Sequence, residues 1–219
     1  MRALPKDNLY VKMTTLNFLL NRYGVRGQKS PINLPYKRWS RFPELIKELG
    51  FTSGAEVGVE RGRFAKNMVR YNPQLKLFAV DAWKTYRDYD GLPLVNQEVL
   101  SSYYLKAKQT LKPYNVQIIK DFSMDAVKKF ANKSLDFVYI DANHRYEYCL
   151  EDIGEWSKKV KKGGLVAGHS YFNGIHSDLG GMQTNYGVRR AVDRWVKENN
   201  IKYLFVLAKD QVPSWMFVV

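Results

Sequence analysis

From residue 54 onward, short apolar runs alternate with amphipathic stretches in a regular rhythm. GAEVGV (54–59), LKLFAVDAW (75–83), NVQIIKDF (115–122), LDFVYIDA (135–142) and GGLVAGHSY (163–171) read as strands. Between them, RFAKNMVRYN (63–72), a segment near 94–111, MDAVKKFAN (124–132) and YEYCLEDIGEWSKKV (146–160) read as helices. The last shows helical spacing in Tyr146, Leu150, Ile153, Trp156 and Val160. Strands this uniformly apolar are buried on both faces, as in a parallel sheet covered by helices on either side. A further helix is predicted near 187–199. KYLFVLAKD and SWMFVV then close the chain with only Asp210 to Ser214 between them. That is too short for a crossover helix, so the two runs pair as an antiparallel hairpin around a turn containing Pro213.

Residues 1–50 stand outside this rhythm. They read as a helix near 8–23, a loop at 24–36 with Gly, Ser and Pro, and a helix near 40–49 ending at Gly50. The expected organisation is a helical N-terminal preamble or cap, 1–50, and an α/β domain, 51–219. A chain of 219 residues, 45% hydrophobic and 26% charged, sustains one large core. No apolar run approaches the roughly 18 residues of a membrane span. MRALPKDNLYVKM lacks the apolar core of a secretory signal. The single cysteine, Cys149, excludes an internal disulfide framework and a clustered-thiolate zinc site. A cytoplasmic location without a membrane partner is expected.

The charge is unusual: 35 Lys+Arg against 21 Asp+Glu give +14 and a pI near 9.7. Such a surface attracts phosphates, nucleic acid or anionic membranes. The cations are scattered, however, with Arg22, Arg26, Lys29, Lys37, Arg38 and Arg41 early and Lys158, Lys159, Lys161 and Lys162 late. Scatter favours a solubility role over a binding groove.

Five motifs, EVGVERGRFA, LFAVDAW, DFVYIDANHRYEYCLEDI, GGLVAGHSYF and GVRRAVDRW, follow in that order. Over about residues 50–219 they resemble the class I S-adenosylmethionine (SAM)-dependent methyltransferases. Within that family they are similar to a bacterial branch of sugar and natural-product O-methyltransferases related to the macrocin-type enzymes. The resemblance implies a Rossmann-like, seven-stranded, mostly parallel sheet with an antiparallel last strand, in three α/β/α layers. It implies SAM as cofactor, S-adenosylhomocysteine (SAH) as product, and a hydroxyl on a saccharide, glycan or related small metabolite as acceptor. Two alternatives stay open: a nucleic-acid (RNA) methyltransferase, motivated by the net charge, and a SAM-fold binding protein without activity.

In an open parallel sheet, ligands bind beyond the carboxyl ends of the strands, where the strand order reverses. EVGVERG leaves the first strand there through Gly58 and Gly62, and glycine permits close backbone approach and positive φ. The next helix offers its free N–H groups to a carboxylate such as that of the cofactor's methionine part. Glu56, Gly58, Val59, Glu60, Gly62 and Phe64 form the expected cofactor loop. The resemblance assigns Asp81 to both ribose hydroxyls and places Phe122 and Ser123 near the adenine. Trp83 packs beside the adenosine or serves as a core tryptophan, and Ser123 also suits the N-cap of the helix at 124.

Asp141 is expected beside the reactive methyl group, touching the cofactor as well. Methyl transfer needs a proton acceptor near the attacking oxygen. Asp141, His144 and His169 are the catalytic candidates, because imidazole titrates near working pH. The alternatives are that His144 caps the helix at 146–160 and His169 fills a polar gap. His176, in the loop 172–187, is a weaker candidate for substrate contact. Some relatives hold Mg²⁺ on acidic residues at the fourth and fifth strand ends, where this chain has GHSY. With Ser170 in place of a carboxylate, Mg²⁺ is admitted but not favoured, and no metal ligand is assigned. The loop 172–187 and YKRWSRF (36–42) are expected to border the acceptor site.

Overall fold

The computed structural model describes residues 14–85, 96–177 and 183–219. The expected helix at 8–23 is described from α1 (Thr15–Arg22); residues 8–13 lie outside the described residues. The chain continues through β1 (Ile32–Leu34), α2 (Arg38–Glu48), β2 (Ser53–Val57), α3 (Arg63–Tyr71) and β3 (Lys76–Asp81). After residue 95 come α4 (Gln97–Leu111), β4 (Val116–Lys120), α5 (Ser123–Ala126), a short 3₁₀ turn (Val127–Lys129) and β5 (Leu135–Ile140). The C-terminal part holds α6 (Tyr146–Ser157), β6 (Val160–Gly168), β7 (Gly174–Ser177), β8 (Gln183–Tyr186), α7 (Val188–Glu198), β9 (Phe205–Leu207) and β10 (Ser214–Val218).

The main sheet runs β1-β9-β10-β6-β5-β2-β3-β4. Its pairs are parallel except where β10 meets β6 and β9. The antiparallel last strand and its hairpin with β9 match expectation. The strand number does not: among the described residues eight strands pair in the main sheet, not seven. The extra one is β1, whose Ile32, Asn33 and Leu34 pair with Phe205, Val206 and Leu207. Three residues inside a loop are too short for a periodic signal, but Ile32 and Leu34 are buried while Asn33 is exposed, as at a strand covered on one face. The segment before residue 50 is thereby built into the main sheet.

Two apolar layers sandwich the sheet. One joins Leu19 and Leu20 of α1, Phe42, Leu45 and Ile46 of α2, and Phe64, Ala65 and Met68 of α3 to Phe137 and Tyr139 of β5. The other joins Cys149, Ile153 and Trp156 of α6, and Val188, Ala191 and Val192 of α7, to Val138 and Ile140. Alternate β5 residues thus serve opposite layers, which explains the unbroken apolar run of LDFVYI. β6 begins at Val160, earlier than expected, because Val160 pairs with Leu135 and the register shift that follows is absorbed near Gly163 and Gly164. Among the described residues no helix is long and apolar enough to cross a membrane.

The expected loop at 172–187 contains a separate two-stranded ribbon, β7 paired with β8. Residues 178–182 lie outside the described residues, and the reading of His176 as a substrate contact concerns a side chain that is not described. The chain order places β2, β3 and β4 to one side and β5 and β6 to the other. The reversal therefore falls between β2 and β5, where Val57 and Ile140 are partners.

Candidate active site

A cavity of about 640 Å³ opens at the carboxyl ends of these strands. Its wall takes Glu56, Gly58, Val59 and Glu60 from the β2 exit and Asp81 and Trp83 from the β3 exit. Asp141, Asn143 and His144 follow β5, and His169 and Ser170 follow β6. Arg38 and Trp39 enter from the first turn of α2. A smaller hollow of about 510 Å³ on β3 and β4, lined by Lys76, Phe78, Gln117 and Phe130 among others, lies away from these strand ends.

Chain crossing at the switch point is tight. Gly58 has φ 91°, and a Cβ there would stand 2.0 Å from the Asp141 carbonyl oxygen. A glycine is therefore required here by the neighbouring strand exit. Gly62 has φ 76° and precedes α3, and its missing side chain faces Leu111 on α4 instead of the cavity.

Asp81 ties this loop together. Its Oδ2 accepts from the Val59 and Glu60 N–H groups, both at 2.9 Å, and its Oδ1 accepts from the Trp83 N–H at 2.8 Å. Burial raises the carboxyl pKa, and the backbone donors work against that rise. A carboxylate offers about four acceptor positions, so the backbone takes most of them. Trp83 is fully buried, packs on Tyr104 and donates its indole N–H to Glu60 O at 2.8 Å. It is a core tryptophan that also forms cavity wall.

Glu56 is 2% exposed, and its Oε2 has no hydrogen-bond partner. The Ala65 N–H in the first turn of α3 is directed at its carboxyl group. Burial, reinforced by the nearby Asp141 charge, pushes its pKa well above the ordinary carboxylate range. An unpaired buried oxygen costs free energy unless a proton or a cationic donor satisfies it.

Asp141 has the opposite environment. Its Oδ2 accepts from Arg38 Nη1 at 2.8 Å. Its Oδ1 lies 3.2 Å from His144 Nε2 and 3.4 Å from His169 Nδ1. Burial alone would raise its pKa; the charge of His169, hydrogen bonds from both imidazoles and the Arg38 charge outweigh it and hold the group well below the carboxylate range. His144 also stacks on Tyr186, with centroids 4.4 Å apart and planes within 5°. With Nε2–H donated to Asp141, Nδ1 is left as the ring's acceptor.

His169 Nε2 lies 3.1 Å from Val212 O, which can only accept, so that nitrogen carries a proton. Its Nδ1 faces both Ser170 Oγ at 3.1 Å and Asp141 Oδ1. The neutral ring accepts from the serine hydroxyl, and the protonated ring donates to the carboxylate. Ser170 holds this place in a left-handed conformation, φ 57°. The helix-cap alternative for His144 does not hold. Arg145 is the N-cap of α6 with no side-chain cap bond, and Asn143 Oδ1 accepts the Arg145 N–H at 3.0 Å.

Arg38, within the YKRWSRF segment expected beside the acceptor site, and Asn143 were not individually expected in the wall. Arg38 is seated by long-range contacts: its N–H donates to Asp210 Oδ2 at 2.7 Å, and its guanidinium lies over the rings of Trp39 and Phe64. Pro43 inside α2 removes the N–H that would bond Trp39 O, and the Asn67 side chain supplies the donor instead. Asn72 likewise donates to Pro43 O at 3.0 Å, pinning α2 to α3.

A model of a methyltransferase domain matches residues 55–171, more than half of the chain. The chain belongs to that methyltransferase family. No curated protein matches the sequence. Among solved structures, a candidate caffeoyl-CoA O-methyltransferase from Staphylococcus aureus is similar over 92% of this chain and 91% of its own, with TM-score 0.61 and 16% identity. An O-methyltransferase from Bacillus cereus, solved with SAH, covers 97% and 94%, with TM-score 0.59 and 15% identity. A candidate O-methyltransferase from Klebsiella pneumoniae covers 96% and 92%, with TM-score 0.58 and 14% identity. At these identities the likeness is one of fold.

The strand-end cavity brings together most of the expected residues: Glu56, Gly58, Val59, Glu60, Phe64, Asp81, Trp83, Ser123, Asp141, His144 and His169. Gly62 and Phe122 are not in its wall. Phe122 is instead the N-cap residue of α5. Ser123 is therefore not that cap; its hydroxyl donates to buried Asp152 and accepts the Trp156 indole N–H at 2.8 Å.

Proposed function

We propose that this chain is a SAM-dependent O-methyltransferase acting on a hydroxyl of a small molecule, in a branch similar to the macrocin-type enzymes. The observation that carries the reading is the unpartnered Glu56 Oε2 beneath the strand-end cavity, with Asp81 on one side and Asp141 on the other. Such an oxygen suits a buried ammonium, the group on the amino-acid end of SAM. The remaining acceptor position on Asp81 Oδ1 suits one ribose hydroxyl, narrower than the two first expected. Ser123 reaches the same wall from the adenine side. SAM supplies an electrophilic methyl group on a sulfonium.

The chain's own residues then orient the acceptor oxygen and take its proton. His144 is the proton acceptor, with Asp141 fixing its tautomer and supporting the imidazolium. His169, locked by Val212 O, is the second imidazole of the centre. Trp39, 41% exposed at the cavity, offers an apolar face to a sugar or other ring. The segment 1–50 serves as a cap through Arg38 and Trp39. A saccharide, glycan or related small metabolite fits this lining of aromatic and hydrogen-bonding groups.

Thermal unfolding with and without SAM or SAH tests the reading. At a hundredfold excess over the dissociation constant, either ligand should add about 2.7 kcal/mol of stability. An unchanged melting temperature with both would refute it.

A further inference from the structure

The groups at the β5 and β6 exits do not suit Mg²⁺. That ion demands near-octahedral oxygen ligands. Among the described residues the cluster of possible ligands is Asp141, His144 and His169, one carboxylate and two imidazoles. Both oxygens of the carboxylate already hold a donor, Arg38 on Oδ2 and His144 on Oδ1, with His169 Nδ1 3.4 Å from Oδ1. The hydroxyl of Ser170 is directed at His169.

We propose that Arg38 is the resident cation of this centre, standing where a divalent metal would otherwise neutralise Asp141. Its use in methyl transfer rests on the function proposed above; its occupation of the site does not. The Arg38 side chain is 14% exposed, and Nη1 reaches Asp141 Oδ2 at 2.8 Å and the Tyr139 hydroxyl at 3.3 Å. Tyr139 is itself fully buried and bonded to Ser214 at 3.0 Å, so the second contact is anchored in the core. Asp210 caps the helix turn that carries Arg38, and Asn67 and Asn72 secure that helix to α3. The guanidinium is thus a built part of the wall.

Guanidinium is a permanent charge with a planar set of donors and no lone pair. It balances Asp141 without coordinating either imidazole, which a metal at this cluster would do. Both rings stay available for proton transfer. Arg38 acts here as a positioning residue for Asp141, and as a charge facing the acceptor's oxygen. An incoming cation must displace it and leave a guanidinium repelled beside a second positive charge.

Calorimetric titration with MgCl₂, and separately with ZnCl₂, tests the proposal on the wild-type chain, Arg38→Lys and Arg38→Met, without SAM or SAH. Wild type and Arg38→Lys should show no saturable Mg²⁺ binding and only weak Zn²⁺ binding. Arg38→Met should bind one Zn²⁺ at least about tenfold more tightly, because the released Oδ2 joins the two imidazoles. Adding Asp141→Asn should remove that gain. A merely structural arginine would not separate Lys from Met in this way. Arg38→Gln provides the same contrast should the methionine variant fail to fold.

One Mg²⁺ per wild-type chain, lost with Asp141→Asn, would overturn the proposal. So would a folded Arg38→Met or Arg38→Gln chain that gains no Zn²⁺ affinity. SAH titrated into the same wild-type sample separates the two readings. Absent SAH binding counts against the proposed function, whereas the metal results bear on Arg38 alone.

Discussion

Asp81 and Asp141 are the same residue type at the ends of strands that flank β2, yet their surroundings are built differently. Asp81 is held by three backbone N–H groups from within 22 residues of sequence. Asp141 is held by side chains, one of them 103 residues away. Backbone donors are neutral and fixed by the loop, so Asp81 organises a binding surface. Arginine and imidazole are charged or chargeable, so the surroundings of Asp141 suit a place where charge moves. In the proposed function, that difference separates holding a cofactor from handling a proton.

The largest expected effect comes from the proton-handling side. Asp141→Asn keeps the shape but loses the charge that orients both imidazoles. Turnover, measured as SAH release with a supporting acceptor, should fall about 10³-fold, and His144→Ala should cost about 10²-fold. SAH affinity should change by less than about fivefold in both. Equal losses in affinity and turnover would erase the division of labour.

A smaller effect belongs to Glu56, which lies between the two carboxylates. Glu56→Gln replaces the unpaired oxygen by a neutral amide, and SAM affinity should fall about tenfold, or ~1.4 kcal/mol. Unchanged affinity would remove Glu56 from the ammonium site.

How far the sequence announced this division follows from the same contrast. Asp81 and its partners are nearer in sequence: two consecutive strand exits carry the two glycines and the tryptophan, with one helix between them. The apolar run LDFVYI likewise announced β5 and put Asp141 at its end. Arg38 was legible as one of many scattered cations and as part of the YKRWSRF segment expected beside the acceptor site, but not as the partner of Asp141, since Asp141 and Arg38's own cap, Asp210, are distant in sequence. β1 escaped because a three-residue strand carries no period, and β7–β8 because its residues resemble a polar loop. Ser123 looked like a helix cap, but the deciding partners, Asp152 and Trp156, sit on another helix.

Asp152 offers the finest test of how burial and pairing set a carboxyl group. Burial pushes its pKa up to about 7, despite the hydrogen bond from Ser123. A raised folded-state pKa stabilises the fold fully below the unfolded value, and that contribution is lost as pH rises through about 7. From the ordinary value of 3.8, it amounts to roughly 4 kcal/mol in the linkage limit. Glu56, also raised, acts in the same direction, whereas Asp141, depressed, loses its contribution only at acid pH. Melting temperature should therefore fall as pH rises from about 4 to 7, by up to roughly 8–16 °C in that limit (~2–4 °C per kcal/mol), and Asp152→Asn should flatten that fall. An identical slope in the variant would show that Asp152 is not the group responsible.

The central claim is that the strand-end cavity is a SAM site anchored through Asp81. Calorimetric titration of SAH into the wild-type chain and into Asp81→Ala measures it most directly. The account predicts one SAH per wild-type chain, displaced by SAM, and an affinity lowered at least about 100-fold in the variant. No binding to wild type, or equal binding to both chains, would contradict it.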